Sequence, residues 1–87
     1  MNQVSIGRVV HYVLPNGEHR PATVARVWSQ PEEWNPHSGM CNLVVTLDTP
    51  NDYGIMGTAP DKDTVWKGSV YYSDTPQPNT WHRPERT

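Results

Sequence analysis

The stretch GRVVHYVLPNGEHRPATVARVW, Gly7–Trp28, decides how the rest of this chain is read. Its first part, Gly7–Leu14, is rich in β-branched and aromatic residues, which suit a pleated, half-buried surface. Pro15-Asn16-Gly17 follows, and Asn-Gly supplies the positive φ values that tight hairpin turns require. Arg20–Trp28 then alternates, with Ala22, Val24, Arg26 and Trp28 on one face and Pro21, Thr23, Ala25 and Val27 on the other. Pro21, near the start of this run, removes only an edge donor. Two strand-like runs joined by such a turn predict a β-hairpin.

Working outward, Cys41–Asp48 (CNLVVTLD) is the clearest further strand. Cys41, Leu43, Val45 and Leu47 alternate there with Asn42, Val44 and Thr46. Thr64–Ser73 reads as a fourth strand, and Gly68 within it predicts a bulge or bend. Thr80–His82 makes a short last strand that Pro84 stops. Between them lie two long loops. Ser29–Met40 is broken by Pro, Asn, Ser and Gly, and Pro31–Trp34 has the make-up of one helical turn. Thr49–Asp63 is a loop of about fifteen residues, a length that in a compact domain goes with function or mobility. The resulting expectation is an all-β domain spanning residues 1–87, a small five-stranded SH3-like barrel with two long loops. An OB-like barrel is the alternative, but it calls for a longer chain and a helix.

The chain has 87 residues, and a domain of that size buries only a little over ~60 % of the surface its unfolded form exposes. Its core is therefore thin, and a ligand site is expected in a surface cleft or between copies of a homo-oligomer. Nine prolines lean toward disorder, but four Trp, four Tyr and runs such as NLVVTL argue for a packed core. Seven Lys and Arg against nine Asp and Glu give a net charge of −2, which exerts no global pull on nucleic acid or anionic membrane. The single Cys41 excludes an intrachain disulfide, and its place at the head of an apolar run reads as a buried small hydrophobe. Neither a secretory leader nor a membrane-length apolar run is evident, so the expected location is the cytoplasm.

No catalytic fingerprint is present: no Gly-x-Ser-x-Gly, no P-loop, no dinucleotide motif. The chain reads as a non-enzymatic binding protein. Its histidines are His11, His19, His37 and His82. They lack the close-spaced pairing of metal sites, and the reading expects neither metal nor cofactor. Arg8, Tyr12, Arg20, Arg26, Trp28, Lys67, Tyr72, Trp81 and Arg83 interleave cations with aromatics as single-strand nucleic-acid binders do, but the net charge argues against that use.

The tripeptide His-Arg-Pro occurs twice, as His19-Arg20-Pro21 and as His82-Arg83-Pro84 within TWHRPER. If the strand ends meet, Arg20 and Arg83 would converge with His19 and His82. Two guanidinium forks suit phosphate or carboxylate, and Trp81 or Tyr53 would stack a flat ring. The bland alternative places Trp81 in the core, with His82 and Arg83 in solvent or paired with Glu18 and Glu85. A second candidate surface is Trp34 with Tyr53, Ile55 and Met56, loop residues that would anchor a protein partner.

Taken together, GRVVHYVLPNG-x-x-RPA-x-V-x-RVW, CNL-x-V and TWH-x-PE resemble a group of short uncharacterised proteins encoded by tailed phages and prophages. The resemblance runs from Gly7 to Glu85 and brings no catalytic residue with it. It implies a phage-linked accessory protein acting inside a bacterium. By analogy with small β-rich proteins that counter host defence, it implies the sequestering of a small anionic ligand such as a nucleotide immune signal. Docking on a host or virion protein is the alternative.

Overall fold

The computed structural model describes residues 3–32, 35, 37–48, 51–59 and 61–84. The hairpin forms as its sequence demands. Strands β1 (Val9–Val13) and β2 (His19–Val27) pair antiparallel, with Val13 opposite His19 and Val9 opposite Thr23. Leu14 N–H donates to the Glu18 carbonyl at 2.7 Å, and Gly17 closes the turn with φ of 89°. A side chain there would be strained, which is why the Asn-Gly pair sits at this point. Pairing of β2 with β3 (Cys41–Thr46) begins only at Ala22, so Pro21 lies where β2 has β1 alone beside it.

The five strands form one antiparallel sheet in the order β4-β3-β2-β1-β5, with β4 at Thr64–Val70 and β5 at Trp81–His82. The domain is all-β, as the strand pattern requires. The strand ladder is open, not a closed barrel. Among the described residues its two edges meet where Tyr72, beyond β4, makes a parallel bridge with Trp81 of β5. Ser73 N–H donates to the Trp81 carbonyl at 3.0 Å, and Trp81 N–H donates to the Tyr71 carbonyl at 3.1 Å.

Two bulges shape the curl. In β2 the register shifts between Val24 and Arg26. The alternation read from the sequence therefore breaks at Ala25, because an extra residue flips every later side chain to the opposite face. Val27, not Arg26, packs on the core. In β4 the bulge predicted at Gly68 is present: Leu43 faces Lys67 and Cys41 faces Val70, so that Gly68 and Ser69 together stand against the single Asn42. Ser69 takes a positive φ of 57°, and its N–H is caught by Asn42 Oδ1 at 2.9 Å. The bulge ends β4 at Val70, three residues before the end read from the sequence.

One face of the sheet holds the core: Val10, Tyr12, Ala22, Val24, Leu43, Val45 and Trp81, closed off by Val4, Leu14, Leu47 and Tyr72. Ile55 and Met56, from the one-turn helix α1 (Tyr53–Met56), pack against it. This helix stands in the second long loop. Pro31 and Glu32 of the first loop are not helical, and Glu33 and Trp34 lie outside the described residues. Cys41 is wholly buried, and burial pushes its thiol up to about 11, so it behaves as the expected small hydrophobe. None of the described helices is long and apolar enough to cross a membrane.

Candidate functional site

The strand pairing brings the histidines of the two His-Arg-Pro copies together. His11 of β1 stands directly opposite His82 of β5. His19 of β2 is one diagonal step from His11, because Val13 faces His19 and His11 faces Pro21. Side chains at such positions share a face and touch. The face here is the one opposite the core. The rings of His19 and His82 lie 4.7 Å apart, those of His11 and His82 5.8 Å, and those of His11 and His19 6.3 Å, all edge to face. A potential donor atom from each of the three lies within 4.8 Å of the others, and His82 is only 6 % exposed. His37, by contrast, is exposed and stands edge to face with Tyr71 at 5.6 Å.

The arginines of the two copies do different things. Arg20 projects on the core side of β2, where its fork grips Asp52 at 2.7 Å from Nε and 2.9 Å from Nη2. Nη2 also meets Glu18 at 2.6 Å, and Nη1 donates to the His19 carbonyl at 2.8 Å. Asp52 is 1 % exposed, and its Oδ2 accepts the Asp48 N–H as well. The Arg20 guanidinium holds the Asp52 carboxyl below its ordinary range, and the carboxylate raises the arginine in turn. The pair straps the second long loop to β2. In this structure the Arg20 fork, read from the sequence as a phosphate holder, is engaged by internal carboxylates.

Trp81 is wholly buried, with Nε1 donating to the Gly39 carbonyl at 2.7 Å and its ring edge-on to Tyr72 at 4.9 Å. Its ring has no open face for a base. Packing is tight around its partner loop: at Gly39 (φ 66°) a Cβ would lie 2.5 Å from Tyr72 Cβ. Arg83 reaches over Tyr72, its guanidinium carbon 5.5 Å from the ring centre. Tyr72 in turn hydrogen-bonds Asp74, and burial first, then that carboxylate, raises its phenol.

Two concavities flank these residues. A pocket of about 100 Å³ is lined by Arg8 and Arg83 with Gln3, Val4, Val9, Val10 and Pro84. A larger, open cleft of about 320 Å³ is lined by Glu32, Asp74, Asn35, Tyr72, Gln77 and Thr80 among others, and its two carboxylates oppose an anion. Neither Arg20 nor Trp81 lines either concavity.

Of the proposed partner-binding residues, Tyr53 is exposed, Ile55 and Met56 serve the core, and Trp34 lies outside the described residues, as does Glu85. The interleaved cation–aromatic set is dispersed. Tyr12, Tyr72 and Trp81 are buried, while Arg26 stacks on Trp28 at 3.9 Å. Sequence reasoning passed over two features. The sharing of one pocket by Arg8 and Arg83 left no signal, because these residues are far apart in the chain and flank strands that pair only in the fold. The histidine cluster had one, a histidine in mid-strand together with a repeated His-Arg-Pro. Comparison with family models, with curated proteins and with solved structures found no match.

Proposed function

We propose that this protein is a non-enzymatic binding protein that holds a small anionic ligand at the pocket between Arg8 and Arg83. The shared pocket carries this reading, since two arginines, Arg8 and Arg83, are among the residues lining a space of about 100 Å³, a size that suits one phosphate or carboxylate group. Arg83 keeps the anion-binding role read from the sequence, and Arg8 takes the place beside it that Arg20 gives up to Asp52. Resemblance to short phage and prophage proteins supports an accessory role inside a bacterial host, with a nucleotide signal as the sequestered ligand.

A thermal-shift panel of cyclic and linear nucleotides, adenosine-ribose derivatives and inorganic phosphate tests the reading. A ligand at one hundred times its dissociation constant stabilises by about 2.7 kcal/mol, which moves the midpoint of so small a domain by several degrees. Arg83→Ala and Arg8→Ala should each cut that shift sharply. A panel without any shift overturns the proposal, and a shift that both variants leave intact removes these arginines from it.

One observation favours protein docking as the second reading. Val9, Thr23, Val44 and Trp66 stand opposite one another across four strands, on the face away from the core. Trp66 is 62 % exposed, and Val9 and Val44 are exposed beside it. An apolar row of this kind fits a partner protein or a second copy. Light scattering of wild type against Trp66→Ser is the check. A monomer in both, with no captured partner lost by the variant, counts against docking there.

A further inference from the structure

We propose that His11, His19 and His82 form a binding site for one divalent transition-metal ion of the zinc class. This inference is independent of the anion pocket, although the two adjoin where Arg83 follows His82.

The donor set comes first. Three imidazoles from three neighbouring strands present potential donor nitrogens within 4.8 Å of one another. A tetrahedral zinc ion with bonds of about 2.1 Å holds its donors roughly 3.4 Å apart. The gap between those spacings is closed by small turns about the Cβ–ring bonds, a soft torsion in histidine. The strands themselves need not move. Sites carried on paired strands hold their geometry better than sites on loops.

The chemistry then selects the ion. Imidazole nitrogen favours zinc, copper and nickel over calcium and magnesium, which want oxygen. Three protein donors leave a fourth position of a tetrahedral ion for water or an anion. The surroundings agree with a built site: His82 is nearly inaccessible, yet both of its ring neighbours are histidines. Three histidines converging on one sheet face, one of them buried, is a donor set that this ion chemistry can use.

The test uses the full chain, stripped with a chelator and exchanged into metal-free buffer. Zinc is titrated by calorimetry and cobalt(II) by its visible absorption, with magnesium as the negative control. The expected result is one zinc ion per chain, tetrahedral cobalt bands that zinc displaces, and a higher melting temperature with zinc alone. His11→Asn and His19→Asn should each weaken zinc by about tenfold or more, at or above the loss typical of a residue that merely orients a ligand. His37→Asn should change nothing. Circular dichroism of the ion-free variants shows whether they fold. If His11→Asn does not, His19→Asn and the ring signals of wild type in histidine-detected NMR carry the test. Zinc that fails to bind, or that binds the cluster variants as it binds wild type, or that perturbs only His37, overturns the site.

Discussion

The tripeptide His-Arg-Pro is used twice, at 19–21 within β2 and at 82–84 leaving β5, and the two copies diverge at their arginines. The histidines behave alike: both point to the face away from the core and meet at 4.7 Å. Arg20 faces inward and grips the buried Asp52 with two bonds. Arg83 lies over the ring of Tyr72 and lines a pocket with Arg8. One arginine is engaged by an internal carboxylate and the other lines a pocket. The difference comes from the neighbours, not the tripeptide. The second long loop delivers a carboxylate to Arg20, whereas Arg83 follows the strand that closes the sheet.

The largest way to break this contrast is to remove the frame of the second copy. Trp81→Ala should cost about 3–5 kcal/mol, because a buried indole and its bond to Gly39 are lost together. Urea unfolding should show most of the stability gone, and a midpoint within experimental error of wild type would refute the plug role of Trp81.

The next effect sharpens the comparison directly. Arg20→Ala strands the Asp52 carboxylate and should cost about 3 kcal/mol. Arg83→Ala removes a partly exposed contact with an aromatic ring and should cost at most about 1 kcal/mol. Equal losses from the two substitutions would show that the arginines are not used differently.

The smallest effect is read with pH. The Asp52 carboxyl is lowered in the folded state, chiefly by Arg20. Its contribution is therefore present above the ordinary carboxyl range near pH 4 and is lost as pH falls through the lowered folded value. Wild type should lose stability over that window relative to Asp52→Asn, which has no such group to titrate. Parallel curves for the two proteins would mean that the pair contributes no pH dependence.

How far the sequence reaches differs along the chain. Gly7–Trp28 and Cys41–Asp48 are legible because alternation and Asn-Gly are local signals. Gly68 announced its bulge, since glycine within a strand marks a break in the ladder. Ala25 gave no such warning, and so Arg26 and Val27 were placed on the wrong faces. The one-turn helix at Tyr53–Met56 was hidden in the second long loop, because four residues are too few to show helical periodicity. In the site, Trp81 was recognised as either plug or platform, and only burial decides for the plug. Asp52, the partner that commits Arg20, carries no motif at all.

By itself the sequence determined an all-β domain, the hairpin at its start and the thinness of its core. Those follow from side-chain alternation, turn chemistry and length. Tertiary structure alone decided that the sheet stays an open ladder bridged at Tyr72 and Trp81, that Arg20 is spent on Asp52, and that His11, His19 and His82 converge. Each of these joins residues far apart in the chain. Such contacts depend on strand order, register and bulges, which short-range patterns do not encode.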